Sequence, residues 1–352
     1  METVFSGPSA FKYYRTPPQV LALCHELPMS QDRATRTAFP NHPTAKAVLG
    51  QTVHTLVASK SEQTGAKHVK QHLWKGPRPS VDTFEDPVIG TLTSPLFTLL
   101  TLARDYNAIE VAMAMYELCG KFSVYAPSPE IETLLPSPQD AQRLGFGWNR
   151  VMGTDGRPSS LWTRGPIIEL GDLKGFVDEI KGMRGSTTFA KAADMVLGVV
   201  RSPLEASAAM LLGLPRSKGG YGLSIQTDKV IRLGASARAM VGKDYLVADI
   251  YVESKDGRHA LDIECQGEIV HSGIGARISD ADRACAIEAS GVDILYLTER
   301  QLKGADNLAL FIELVEGRLH EKMPARTERM KNTEQELRYH LFQNWETLCG
   351  VS

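Results

Sequence analysis

The sequence lacks several features that would assign a function outright. No uncharged apolar run reaches the ~18 residues of a membrane-spanning helix, so no span and no membrane partner are expected. The opening Met1-Glu2-Thr3-Val4-Phe5-Ser6-Gly7 has no basic stretch leading into an apolar one, so no secretory signal is expected. Cysteines are few, five at 24, 119, 265, 285 and 349, and no C-x-x-C pair occurs. That excludes a disulfide framework, gives a zinc site no support, and fits the reducing cytoplasm. Gly219-Gly220-Tyr221-Gly222 lacks the Lys-Ser/Thr of a phosphate-binding loop, and neither G-x-S-x-G nor H-E-x-x-H is present. Charge of one sign is also missing. The chain has 39 Lys+Arg against 41 Asp+Glu; from Arg201 onward the count is 19 against 22. Neither half is a basic block that announces nucleic-acid binding by itself.

What is present is ordinary globular composition, 43% apolar and 23% charged. At about 150 residues per domain, 352 residues predict two domains. Proline and glycine are dense from Pro127 to Pro166, which reads as an irregular connection. The expected organisation is a mixed α/β chain: an N-terminal α+β domain over 1–126, a linker region over 127–186, a second α/β domain over 187–319, and a helical tail over 320–352.

In the first half Ser94-Pro95 is a capped helix start, followed by Leu96, Leu99, Leu100 and Ala103 at helical spacing. A second helix spans 108–119, and 52–57 and 88–92 read as strands. In the second half a helix is expected at 187–200, then another from Ser202-Pro203 to Leu212. Strands follow at 229–233, 245–253 and 259–266, a helix at 281–290, a strand at 292–298, and helices at 307–319 and 328–348.

The two strands at 245–266 carry the chemistry. Side chains alternate faces along a strand, so Asp262, Glu264 and Gln266 share one face of the second. If the strands form a hairpin around Lys255-Asp256-Gly257, Asp249 approaches Glu264 on one side of the sheet. Two carboxylates and a carboxamide there suit Mg²⁺ (or Mn²⁺), a hard cation that takes oxygen ligands. Such an ion activates water and stabilises charge on a phosphodiester. The alternative is a pair of ordinary acids on the solvent face of an amphipathic sheet.

Asp249 and Glu264-Cys265-Gln266, within a helix, three strands, helix, strand order, resemble the PD-(D/E)xK nuclease superfamily. Ile263 to Gly267, His271, Asp280-Ala281-Asp282-Arg283, Gly291 and Leu297-Thr298 are similar to its very-short-patch-repair (Vsr) endonuclease branch. The resemblance implies a restriction-endonuclease-like αβββαβ domain with Asp249 and Glu264 as metal ligands. It implies catalytic roles for Glu205, Asp249, Glu264, Gln266 and His271, and a helix-start or phosphate-pairing role for Arg283. Gln266 stands where the superfamily usually has Lys; a carboxamide hydrogen-bonds a water but brings no charge. Thr93-Ser94-Pro95-Leu96 to Leu102-Ala103, with Glu117 to Gly120, resembles a segment of AbiEi-type antitoxin-like proteins.

Lys60, Lys67, Lys70, Lys75 and Arg78, with His68, His72 and Trp74 among them, form the one clear basic stretch. It reads either as a track for a nucleic-acid backbone, through Lys67, Lys70 and Lys75, or as a solvated face. The resemblance as a whole implies a Mg²⁺-dependent DNA endonuclease linked to toxin–antitoxin or phage-defence systems. Its alternative is an inactive nuclease-fold DNA-binding or antitoxin-like regulatory protein. A protein partner or homo-oligomer fits either reading.

Overall fold

The computed structural model describes residues 3–27, 39–63, 65–153, 155–267, 269–270 and 280–351, with the backbone alone at 269, 270 and 280. The fold is mixed α/β, as the sequence patterning predicts. The chain divides into two compact units: Met1–Arg150, Ser159–Asp194 and Asn344–Ser352 form the first, Val151–Pro158 and Met195–Gln343 the second.

The first unit is built on a five-stranded sheet of order β3-β2-β1-β5-β4. Its strands are β1 (Val4–Phe5), β2 (Val53–Val57), β3 (Val69–Leu73), β4 (Thr83–Asp86) and β5 (Gly90–Thr93). The expected strand at 88–92 starts late, because the Asp86 carboxylate accepts the Val88 and Ile89 N–H groups at 2.8 Å each and turns the chain first. Helices α1 (Gly7–Arg15), α2 (Pro95–Leu102) and α3 (Ala108–Cys119) supply the core, with Phe11, Phe97, Leu99, Met113 and Leu118 fully buried. The Ser94 hydroxyl accepts the Phe97 N–H, as its Ser-Pro signature predicts.

The segment expected as a linker is folded. Ser128 and Ser137, each ahead of a proline, cap short helices at Pro129–Glu132 and Pro138–Arg143. Strand β6 (Phe122–Val124) precedes these helices, and β7 (Asn149–Gly153) and β8 (Pro158–Thr163) follow them, with β6 and β8 antiparallel. The prolines at 129 and 138 sit at first helical positions, where a missing N–H costs nothing. Helices α4 (Leu170–Glu179) and α5 (Ser186–Ala193) complete the N-terminal run of this unit. The helix expected to reach 200 stops at Ala193.

The C-terminal segment belongs to the first unit and is held there by the buried Arg15 side chain and by Trp345, which lies edge-on to Phe122. Arg15 donates to the Trp345 carbonyl at 2.6 Å and to the Glu346 carbonyl at 3.3 Å, while its Nε pairs with Glu117 at 2.8 Å. The expected final helix therefore ends at Leu341, and Asn344 caps a separate 3₁₀ segment at Trp345–Gly350.

The second unit carries a four-stranded sheet of order β13-β11-β10-β9. Helix α6 (Pro203–Gly213) leads into β9 (Ile225–Arg232), and a short helix α7 (Ala235–Val241), absent from the sequence reading, precedes β10 (Tyr245–Glu253). Strand β11 (Ala260–Gln266) completes an antiparallel meander. After β12 (Ile269–Val270), helix α8 (Asp280–Glu288) leads to β13 (Asp293–Thr298), which lies parallel to β11. Met152 and Gly153 of β7 pair with β12. Helices α9 (Ala305–Leu319) and α10 (Glu328–Leu341) follow. Ile250, Val252, Leu261 and Ile263 are buried at the sheet centre.

Gly198 marks a close approach. A Cβ there would lie 2.2 Å from the Thr227 hydroxyl, so the strap leading into α6 lies directly on β9.

Candidate active site

The candidate site forms where β10 and β11 stop pairing in a regular ladder. Backbone pairing holds from Glu253↔Ala260 to Ile250↔Ile263. Two residues beyond Ile263, the Cys265 N–H donates to the Asp249 carboxylate, at 2.9 Å. Asp228 on β9 has a left-handed φ of 56°, uncommon for a non-glycine residue in a strand. Its carboxylate pairs with Arg201 at 2.5 Å. Local irregularity in two neighbouring strands thus turns Asp249 inward.

Glu205 reaches the same place from the first turn of α6. The Ser202 hydroxyl accepts the Glu205 N–H at 3.2 Å and donates to the Glu205 carboxylate at 3.0 Å. The Arg201 N–H donates to the other carboxylate oxygen at 2.8 Å. A helix start so capped fixes the side chain, which is 2% exposed. The Ser-x-x-Glu spacing in the sequence signals this arrangement.

The electrostatics show which acids share the site. Burial, opposed by the Arg201 N–H, the Ser202 hydroxyl and the Arg201 charge and reinforced by the Glu264 charge, pushes Glu205 up to about 7. Burial first, then the charges of Glu205 and Glu264, push Asp249 well above the usual carboxylate range, with the Cys265 N–H and Arg283 pulling partly back. Glu205, Asp249 and Glu264 are close enough to act on one another's charge.

Sequence reasoning assigned no role to Asp262, although it placed this residue on the Glu264 face. It is fully buried, and neither carboxylate oxygen has a donor among the described residues. Burial, then the Glu264 charge and a hydrogen bond to it, push its carboxyl up to about 9.

Among the described residues, Arg283 is the cation that pairs directly with one of these carboxylates. It reaches Glu264 at 2.5 Å and 3.2 Å and the Val247 carbonyl at 2.7 Å. Burial alone would lower its pKa; the charges of Glu264, Asp262 and Asp249 raise it. The side chain of Asp280, its expected partner at the helix start, lies outside the described residues, as does His271. Gln266 stands at the end of β11 and is exposed.

Asp249 and Glu264 offer carboxylate oxygens, donors of the kind that hard divalent ions take. Among the described residues no three His, Cys, Asp or Glu side chains are grouped closely enough to be a ready-made metal site. All five cysteines are free thiols, and the Cys285 side chain is exposed.

The basic stretch lies in the first unit. Lys67, Lys70 and Lys75 are exposed, with Lys70 on the edge strand β3. Its aromatic members are occupied within the fold. Trp74 is buried edge-on to Phe97 at 4.8 Å and carries the Arg104 guanidinium over its ring. His72 sits 2.9 Å from His54 and 3.4 Å from Asp105. Trp74 is therefore a core residue and not a platform for stacked bases. Among the described residues no helix is long and apolar enough to cross a membrane.

Comparison of the chain with protein-family models, with curated proteins and with solved structures gives no match.

Proposed function

We propose that the second unit holds a divalent-cation-dependent phosphodiester hydrolase site acting on DNA. One observation carries this reading. Four buried or half-buried carboxyl groups, Glu205, Asp249, Asp262 and Glu264, lie together, and among the described residues only the Arg283 guanidinium pairs directly with one of them, Glu264. Buried charge of one sign is costly unless it is paired or coordinates metal, so the arrangement favours a bound cation. Oxygen donors select Mg²⁺ or Mn²⁺ over softer ions. Such an ion, when bound, supplies an acidified water and charge stabilisation at the phosphorus. Asp249 and Glu264 would hold it, Glu205 would orient a water of its outer shell, and Gln266 would hydrogen-bond the attacking water. The resemblance to PD-(D/E)xK nucleases of the Vsr branch supports the same assignment and adds His271 as a proton donor. Lys67, Lys70 and Lys75 would follow a DNA backbone, and the AbiEi-like segment of the first half links the protein to toxin–antitoxin or phage-defence systems.

A second reading, a nuclease-fold module that binds DNA or a partner protein without cleaving, has its own support. Gln266 supplies no charge, and Arg283 already occupies Glu264.

Asp249→Asn separates the two. The substitution keeps the shape and removes one ligand charge, so Mg²⁺-dependent cleavage of DNA falls by orders of magnitude while DNA binding survives. Wild type without metal-dependent cleavage of single- or double-stranded DNA contradicts the enzyme reading and leaves the binding module.

A further inference from the structure

Resting on the cation reading of this site, we propose that Arg283 is an exchangeable counter-ion, seated on Glu264 in the resting protein and displaced when a divalent cation arrives. Its guanidinium fork holds one Glu264 oxygen with two nitrogens, at 2.5 Å and 3.2 Å, and the Val247 carbonyl at 2.7 Å. Val247 lies on β10 two residues before Asp249, so the guanidinium bridges the two strands that carry the candidate ligands. Glu264 therefore cannot give that oxygen to a metal while Arg283 stays.

Charge accounting points the same way. With the guanidinium on Glu264, Asp249 and Asp262 form no ion pair of their own among the described residues. Asp262 is fully buried, and neither of its oxygens has a partner among the described residues. Bringing a divalent ion beside a fixed guanidinium adds like-charge repulsion in a poorly screened site. Releasing the guanidinium removes that repulsion and frees a flexible, half-buried side chain; its own side chain is 25% exposed, so a path outward exists. No bond is made or broken in this exchange. One cation leaves a carboxylate and another takes its place. Arg283 is thus a positioning residue that sets the cation concentration at which the site fills.

The test is Mn²⁺ binding to the full-length protein, followed calorimetrically, for wild type, Arg283→Gln and Arg283→Lys. The exchange predicts at least ~10-fold tighter Mn²⁺ binding in Arg283→Gln, equivalent to about 1.4 kcal/mol. Arg283→Lys, which keeps the charge but loses the fork, falls between. A merely structural arginine would leave affinity unchanged or weaken it, and that result overturns the inference while leaving the cation site standing. Binding in Arg283→Gln but not in wild type supports the inference and shows the resting site to be locked. No binding in any of the three overturns both the inference and the cation reading. Should Arg283→Gln fail to fold, Arg283→Lys decides: affinity equal to or below wild type overturns the inference.

Discussion

Both units bury a cluster of charges, and the two clusters are balanced differently. In the first, Glu117 is fully buried, and one of its oxygens receives the Arg15 Nε at 2.8 Å, the Val124 N–H at 2.8 Å and the Ser123 hydroxyl at 3.2 Å. Arg164 caps the Glu117 carbonyl at 2.6 Å, and Arg15 ties down the returning C-terminal segment. Among the described residues, the second carboxylate oxygen of Glu117 and the Arg164 Nε are left without partners. In the second unit, carboxyls outnumber inserted cations and raise one another's pKa. A buried charge met by donors is architecture; a buried surplus of one sign is stored electrostatic demand, and such surpluses concentrate at functional sites.

The largest effect is expected where the balance is complete. Arg15→Ala leaves Glu117 buried and unpaired and should cost the first unit roughly 3–5 kcal/mol. Urea unfolding measures this, and hydrogen exchange should show the amides of 345–350 losing protection together. A cost near zero would make the first cluster ornamental.

The second cluster should respond to pH with the opposite sign from an ordinary salt bridge. Glu205 holds its proton more tightly when folded, with a pKa raised from 4.5 to about 7. The folded state therefore binds more protons than the unfolded state between those values, and stability falls as pH rises through that window. Without metal the second unit should lose of order 3 kcal/mol from Glu205 between about pH 4.5 and pH 7. Asp262 extends the decline towards pH 9. Saturating Mn²⁺ should flatten the slope. Stability that climbs with pH in metal-free buffer would contradict the surplus.

Smaller effects separate two similar caps. Ser202 and Ser137 both accept an N–H at a Ser-Pro helix start. Ser202→Ala should cost about 1 kcal/mol as a lost cap and, by freeing Glu205, also weaken Mn²⁺ binding. Ser137→Ala, on an exposed six-residue helix, should cost about 0.5 kcal/mol and leave Mn²⁺ binding untouched. Equal effects on metal binding would show that Ser202 does not position Glu205.

The Ser-Pro signature also shows how much the sequence discloses. It identifies the helices starting at Pro95 and Pro203, and the same signature at Ser128 and Ser137 marks two more helices inside a stretch dense enough in proline and glycine to read as a linker. Proline density measures interruption, but a proline directly after a capping serine starts structure. The strands β10 and β13 are legible as short, strongly apolar runs and β11 by its apolar alternation. Strands β3 and β4 are not, since Val-Lys-Gln-His-Leu and Thr-Phe-Glu-Asp lie on sheet edges and carry little alternation. In the site, the period of two places Glu264 and Asp262 on one face, and the Ser-x-x-Glu start of α6 signals Glu205. The pairing of Arg283 with Glu264 joins residues on a helix and a strand, and no local spacing encodes it. The turned-in carboxylate of Asp249 depends on a left-handed residue in the neighbouring strand, Asp228, which periodicity treats as one more strand position.

The most direct test of the cation site is a crystal structure of the full-length protein soaked in Mn²⁺, with the anomalous signal of the metal recorded. The site predicts a Mn²⁺ peak with Asp249 and Glu264 oxygens at about 2.2 Å and the Arg283 guanidinium withdrawn from Glu264. A well-ordered Arg283 still paired with Glu264 at saturating Mn²⁺, with no peak among Asp249, Asp262 and Glu264, would contradict it.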